Sequence, residues 1–185
     1  MKLVIGLGNP GREYANHRHN IGQWVVDALA KELRVKWKKD SKWGEEAWCE
    51  LESENVWLAK PSTYMNLSGD AVKALLKSRQ VTPADLVVIH DDMDLALGKM
   101  RWAFGSGHGG HNGVRSIIDA IGTKDFFRLR LGIGRPVHHA DPKEYVLQPF
   151  SGSDLKAAEE MTVQAAKSVH DFLKHGLEWV QNHYH

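Results

Sequence analysis

The chain is poor in several features that would mark a specialised class of protein. Its only cysteine is Cys49, so no internal disulfide can form, and a reducing, cytoplasmic environment is expected. No apolar run approaches the roughly 20 residues that span a bilayer, and glycine and proline interrupt the apolar N-terminal stretch, which is unlike a signal peptide. The formal net charge is only +1, so a nucleic-acid partner would have to meet a local basic patch.

What remains is the composition of an ordinary soluble domain. The length of 185 residues and a hydrophobic content of 42% suit a single domain over residues 1–185 with a full core. Short β-branched runs predict strands at Lys2–Ile5, Ala47–Leu51, Val56–Lys60, Leu86–His90, Lys99–Phe104 and Arg128–Gly134.

Apolar residues at helical spacing predict four helices between and after these strands. The helices begin near Ile21, Ser68, Asn112 and Ser153. Ser68 and Asn112 are the predicted N-caps, because a short polar side chain can accept hydrogen bonds from the free N–H groups of the first turn. Helices that alternate with strands, together with a hairpin around residues 53–55, predict a single three-layer α/β domain with a twisted mixed β-sheet flanked by helices.

The first glycine motif raises the question of a dinucleotide site. Gly6-x-Gly8-x-x-Gly11 directly follows an apolar strand and has the spacing of a dinucleotide-binding loop. In such a loop the helix begins at the glycines, whereas helical spacing begins here only near Ile21, and no acidic residue closes a second strand. This disfavours a nicotinamide-dependent oxidoreductase, one of three functions that the sequence raises.

A glycine-rich loop further along the chain carries polar side chains. Five of the nine residues from Gly105 to Gly113 are glycines, and His108, His111 and Asn112 lie among them. Together with His19, the two loop histidines have a spacing that zinc sites tolerate. Because a loop built on glycine positions ligands poorly, the sequence disfavours a zinc site here.

Acidic residues cluster where one predicted strand ends, at Asp91, Asp92 and Asp94. Three interpretations stay open for them: solubility, a Mg²⁺ site, or the orientation of a histidine. Covalent catalysis is disfavoured, because the chain has no Gly-x-Ser-x-Gly motif and Cys49 lies in mid-strand with no partner in view. A Mg²⁺ site is not the favoured interpretation of these acidic residues, and the sequence predicts no metal and no cofactor.

Five segments, taken in order, carry a resemblance to a known family. They are Gly6–Gly11 with Tyr14 and Arg18–Asn20, Tyr64–Gly69, His90–Leu95, Gly107–Gly113 and Phe127–Gly134. In this order and at these separations they resemble bacterial peptidyl-tRNA hydrolase, from Met1 to about Phe150. The resemblance implies a monomeric α/β enzyme that cleaves the ester between a peptide and the 3′ ribose of tRNA.

The resemblance also implies roles for individual residues. The family's general base matches His19, and the acid that holds this base matches Asp91. The residue that matches Asn9 distinguishes peptidyl-tRNA from aminoacyl-tRNA during catalysis. Further positions that match substrate or tRNA contacts are Tyr14, Tyr64, Met65, Asn66, His111, Asn112 and Arg130.

One position departs from the family pattern. The family clamps the 5′ phosphate of the tRNA with an arginine that matches Arg130 and a lysine shortly before the glycine-rich loop. Here Ala103 occupies the lysine position, and Arg101 or Lys99 is the candidate substitute. The implied partner is the acceptor stem and 3′ end of peptidyl-tRNA. The affinity for tRNA should depend strongly on salt concentration, because it would rest on phosphate contacts.

The chemistry of an ester agrees with these roles. Because an ester is an activated acyl donor, a neutral imidazole can deprotonate the attacking water without a metal. A carboxylate on the other ring nitrogen fixes the tautomer, and the oxyanion donor stays open between Asn9 and Asn112. A non-catalytic RNA-binding module would explain the basic residues, but not His19 with Asp91 and three asparagines.

Overall fold

The structure, a computed structural model, describes the backbone of residues 1–185 and all side chains except those of residues 40 and 41. The strands are β1 (Lys2–Gly6), β2 (Lys38–Ser41), β3 (Gly44–Leu51), β4 (Glu54–Pro61), β5 (Leu86–Asp92), β6 (Met100–Phe104) and β7 (Phe127–Gly132). The helices are α1 (Ile21–Glu32), α2 (Ser68–Arg79), α3 (Asn112–Ile121), α4 (Pro142–Val146), α5 (Gly152–His175) and α6 (Leu177–Tyr184).

The strands form one mixed sheet in the order β2-β3-β4-β1-β5-β7-β6. β1, β4, β5 and β7 run parallel, whereas β2, β3 and β6 pair antiparallel with their neighbours. β1 lies between β4 and β5, so later parts of the chain add strands on both sides of it. The carboxyl ends of the four parallel strands therefore meet along one edge, where α/β sheets carry their sites.

Helices cover both faces of the sheet, which is why its central strands are apolar on both sides. The side chains of Leu3–Ile5 and Leu86–Ile89 are fully buried. One core contains Val26 of α1 and Met161 of α5, and the other contains Ile117 of α3. Full burial of one such side chain is worth about 1.5–3 kcal/mol. The predicted three-layer α/β architecture is confirmed.

All six predicted strands are present, with small shifts at their ends. The predicted hairpin is also present: β3 and β4 pair from Leu51 and Glu54 onward. Its turn residues, Glu52 and Ser53, have positive φ angles of 50° and 61°, as a tight two-residue hairpin requires. The sequence missed β2, because its residues include none with a strong preference for strands.

The predicted helices are present, but the predicted N-cap at Ser68 is wrong. Ser68 is the first residue of α2, and its hydroxyl donates instead to the carbonyl of Met65 at 2.7 Å. The final predicted helix, which starts near Ser153, is α5. The sequence missed α6, which follows Gly176, whose φ of 88° ends α5.

The predicted N-cap at Asn112 is wrong as well. Asn112 is the first residue of α3, and the capping residue is His111. The Nδ1 atom of His111 accepts hydrogen bonds from the backbone N–H groups of Gly113 and Val114, at 3.1 and 3.2 Å. An imidazole therefore fills the role that was expected of the asparagine side chain.

Gly6, the first glycine of the opening motif, and Gly22 of α1 allow close packing. A Cβ on Gly6 would lie 2.3 Å from the carbonyl oxygen of Gly22, and one on Gly22 would lie 2.2 Å from that of Ile89. The backbone of α1 therefore rests directly on β1 and β5, which a side chain at either glycine would prevent. Because α1 begins at Ile21 and not at Gly11, the helix that a dinucleotide loop requires is not in place.

At one edge of the sheet, side chains of α6 and of the residue that follows it, His185, cover β6. The backbone N–H of Trp102 donates to Nε2 of His185 at 2.7 Å, and Gln181 donates to the Trp102 carbonyl at 3.1 Å. The indole of Trp102 stacks on Phe172 with ring centroids 4.5 Å apart. Among the described helices, none combines the length and the apolar character needed to cross a membrane.

Candidate active site

His19 and Asp91 come together at the carboxyl edge of the sheet. His19 lies in a 3-10 turn, Arg18–Asn20, which leads directly into α1, and Asp91 lies near the end of β5. Nδ1 of His19 is 2.9 Å from each carboxylate oxygen of Asp91, which is only 2% exposed. With Nδ1 donating to the carboxylate, Nε2 is left to exchange a proton with a molecule in the cleft.

The surroundings determine the charge of both groups. Burial opposes the charged form of Asp91, but the bonded His19 and His111 outweigh it and hold the pKa of the carboxyl well below its usual range. Burial also opposes the charged form of His19, but the charge of Asp91 and its hydrogen bond raise the pKa of the ring above its usual value. Asp91 therefore stabilises the imidazolium that forms when His19 accepts a proton.

Asn9 is held in one orientation by its neighbours. Asn20 brackets its backbone, since Oδ1 of Asn20 accepts from the Asn9 N–H and Nδ2 donates to the Asn9 carbonyl, both at 2.9 Å. Oδ1 of Asn9 accepts from the backbone N–H of Met65 at 2.7 Å. Because Oδ1 is bonded to Met65, the groups that Asn9 can offer to a substrate are the two N–H donors of Nδ2.

A cavity of about 280 Å³ adjoins His19. The rings of Tyr14 and Tyr64 meet edge to face in its wall, with centroids 6.1 Å apart, and Tyr64 is half exposed. The cavity brings together seven residues that the sequence predicted: Asn9, Tyr14, His19, Tyr64, Met65, Asn66 and Asn112.

A second cavity of about 260 Å³ lies on the other side of His19. Both cavities are lined by His19, Asn112, Lys143 and Val146, so α4 contributes to each. The sequence missed α4, because five residues are too few to display a helical period. The local signal was Asp141 followed by proline, a good N-cap before the residue that best starts a helix.

The turn that carries His19 is tied to the chain that follows α4. Nη1 of Arg18 donates to the carbonyl of Pro149 at 2.9 Å, and its guanidinium lies 4.4 Å from the centroid of the Tyr145 ring. The backbone N–H of Arg18 also donates to the carbonyl of Gln148 at 3.0 Å. Arg18 therefore links the turn that carries the candidate base to α4 and to the residues that follow it.

Arg101 and Arg130 are paired directly across β6 and β7, but they line neither cavity beside His19. Nε of Arg130 donates to Asp92 at 2.6 Å, and Arg101 donates to the carbonyl of Met100 at 2.8 Å. Ala103 lies two residues beyond Arg101 on β6, so its side chain projects from the same face. Arg101 and Arg130 are thus neighbours on the face of the sheet that also carries Ala103.

His19, Asp91 and His111 offer ligand atoms within 4.8 Å of one another, a set that a metal ion could share. The second ring nitrogen of His111, however, accepts hydrogen bonds from two backbone N–H groups. A histidine bound to a metal instead donates a hydrogen bond through its second nitrogen. The donor set therefore fits a hydrogen-bonded cluster better than a metal site.

Comparison with known proteins points to one family. The family model described as peptidyl-tRNA hydrolase matches residues 3–185. The peptidyl-tRNA hydrolase of Mycobacterium marinum is 48% identical over 184 residues, which cover 99% of this chain and 96% of that protein. The peptidyl-tRNA hydrolase of Nocardia farcinica is 45% identical over 184 residues, which cover 99% of this chain and 95% of that protein.

A solved structure agrees with the sequence relatives. The crystal structure of peptidyl-tRNA hydrolase from Acinetobacter baumannii superimposes with a TM-score of 0.92 at 36% identity. The match covers 98% of this chain and 93% of that one. With a family model and close relatives that extend over almost its whole length, this chain belongs to the peptidyl-tRNA hydrolase family.

Proposed function

We propose that this protein hydrolyses the ester that joins a peptide to the 3′ ribose of tRNA in peptidyl-tRNA, with His19 as the general base and no metal. The observation that carries the proposal is the His19–Asp91 pair at 2.9 Å, set in a cleft that also contains Asn9, Asn66 and Asn112. A buried acid behind an imidazole, beside neutral amides, suits the activation of water next to a polar acyl group.

The reaction needs only groups that this chain provides, together with a water molecule. Nε2 of His19 takes a proton from water, and the resulting hydroxide attacks the carbonyl carbon of the ester. The tetrahedral intermediate then breaks the bond to the ribose oxygen, which takes the proton back from the imidazolium. Asp91 stabilises that imidazolium, and the products are free tRNA and a peptide with a free carboxylate.

The orientation of Asn9 supports a role in both catalysis and selectivity. With its oxygen held by Met65, its N–H donors are available to a carbonyl oxygen of the substrate or to the oxyanion. Amide groups at Asn66 and Asn112 complement a peptide bond, whereas the free ammonium of an aminoacyl-tRNA would lack suitable partners. Sites built around a hydrogen bond reject an analogue that cannot form it.

The tRNA would be held largely through its phosphates. Arg101 and Arg130, paired across β6 and β7, supply positive charges outside both cavities, although Arg130 is also bonded to Asp92; this suits the acceptor stem while its 3′ end lies at His19. In line with the family resemblance, we propose that the protein acts as a monomer. We also propose that it acts in the cytoplasm, where its substrate is made.

Release of an N-blocked amino acid from charged tRNA tests this function. The assay contains EDTA and no nicotinamide, and the wild-type protein is expected to be active in it. His19→Ala should lower kcat by about 10²–10⁴-fold, the usual cost of losing a general base. The matched control is His170→Ala, since His170 lies on α5 outside both cavities. Loss of activity in EDTA, or tRNA binding without turnover, would contradict the proposal.

A further inference from the structure

His111 connects the start of α3 to Asp91. Its Nδ1 accepts from the backbone N–H groups of Gly113 and Val114, at 3.1 and 3.2 Å. Its Nε2 lies 2.9 Å from Oδ1 of Asp91. The ring is 9% exposed, so its hydrogen bonds lie almost entirely within the protein. Both nitrogens of His111 already have partners, which leaves the ring no polar atom for the substrate that the family resemblance assigned to it.

The partners of His111 determine where its proton lies. A backbone N–H can only donate, so Nδ1 must keep its lone pair free of a proton. The proton of the neutral ring is therefore on Nε2, from which it is donated to Asp91. A second proton could be added only at Nδ1, and it would displace both hydrogen bonds that cap α3.

Asp91 contacts three histidines, two through its carboxylate and one through its backbone carbonyl. His19 and His111 each bond its carboxylate, and Nδ1 of His90 lies 2.7 Å from its backbone carbonyl. Nε2 of His90 is buried, and burial together with the charge of Arg128 holds the pKa of His90 well below its usual value. Other titratable side chains that line the adjoining cavity are Asp92, Asp94, His108, Arg135 and Lys143.

We infer that His111 is a positioning residue for the hydrolysis. As a fixed neutral tautomer, it anchors the carboxylate of Asp91 to the first turn of α3, and it leaves His19 as the histidine of the cluster that gains and loses a proton. This inference rests on the proposed function for its consequence in catalysis. The tautomer itself follows from the hydrogen bonds alone.

Nitrogen NMR of isotope-labelled histidine tests the tautomer without any assay of activity. The ring of His111 should carry its proton on Nε2, with Nδ1 unprotonated. A ring protonated at Nδ1 in the folded protein would overturn the inference. Because this readout needs no substrate, its result is independent of whether the proposed function is correct.

Three variants separate positioning from helix capping. His111→Ala removes both connections. His111→Ser keeps a good N-cap but cannot reach Asp91, and His111→Gln keeps an acceptor and an N–H donor on one side chain. In protein that hydrolyses peptidyl-tRNA, kcat should fall about tenfold in the Ala and Ser variants, with KM changed less than about twofold. The Gln variant should recover most of kcat.

A purely structural role predicts a different order. In that case His111→Ser, with its helix cap restored, would be as fast as the wild-type protein. A role in substrate binding predicts instead a higher KM with kcat unchanged in all three variants. Either result would refute the positioning role, and thermal unfolding of each variant shows whether the cap has been kept.

Discussion

The side-chain amide of Asn20 brackets the backbone of Asn9, with Oδ1 accepting from its N–H and Nδ2 donating to its carbonyl, both at 2.9 Å. Asn20 directly follows the candidate base, and Asn9 is the proposed donor to the substrate. One side chain therefore sets the distance between the loop after β1 and the turn that carries His19. The pair explains why an asparagine occurs at a position that contributes no atom to the reaction.

Removal of that bracket should cost both stability and rate. Asn20→Ala leaves the N–H and C=O groups of Asn9 buried without partners, which should lower the free energy of unfolding by about 1–3 kcal/mol. It should also lower kcat/KM, because Asn9 is freed relative to His19. Denaturant unfolding and the hydrolysis assay measure the two effects. Asn16→Ala, at an exposed position of the same loop, is the control and should change neither.

Replacement of the acid should move the pH profile in a definite direction. The neutral ring is the active base, so kcat/KM should rise with pH through the pKa of His19, which Asp91 raises above its usual value. In Asp91→Asn the charge is lost and burial then favours the neutral ring, so the acidic limb should shift to lower pH. The plateau rate should fall by about 10²–10⁴-fold, because the asparagine no longer stabilises the imidazolium. An acidic limb that does not move would contradict the assignment of the base.

Selectivity for the peptide bond should depend on Asn9. Asn9→Asp keeps an oxygen that can accept from Met65 but loses both N–H donors of Nδ2. Asn9→Ala loses the acceptor and the donors. Both variants should lower the ratio of peptidyl-tRNA to aminoacyl-tRNA hydrolysis, measured with the two substrates in parallel. An unchanged ratio in both variants would remove Asn9 from the discrimination.

The proposed contact between Arg101 and a tRNA phosphate should make KM depend on salt concentration. Arg101→Ala should raise KM and lower the slope of log KM against log salt by about one, as expected for one lost phosphate contact. Lys99→Ala should have the smaller effect, because Lys99 precedes the strand that pairs with β7. Addition of Ala103→Lys to Arg101→Ala should restore the slope. Equal effects of Arg101→Ala and Lys99→Ala would contradict the role given to Arg101.

The motifs of the sequence were sufficient to predict most of the cleft. His19 and Asp91 are far apart in the chain and were paired by the family resemblance, and the structure explains the pairing, since β1 and β5 are parallel and end at the same edge of the sheet. The seven residues of the cavity beside His19 were predicted from the same resemblance, whose motifs follow strands or begin helices at that edge. The glycines of the first motif were harder to interpret, since close helix packing and nucleotide binding favour the same residue.

Local rules failed where a distant residue decides the outcome. Asn112 is a good N-cap by propensity, but His111 takes the role because Asp91 holds its ring with Nδ1 toward the helix. No pattern around residue 111 reveals the state of that imidazole. The short α4 and the lysine-rich β2 lack periodicity of their own, so their place in the fold comes from the neighbours they pack against or pair with.

The cover that α6 provides for β6 limits what can associate with this protein. An edge strand presents free N–H and C=O groups to which another chain can add a strand of its own. Here a histidine and a glutamine occupy both such groups of Trp102, in the middle of β6. An incoming strand would have to displace these two side chains first, so this edge of the sheet is protected against the addition of a strand from another chain.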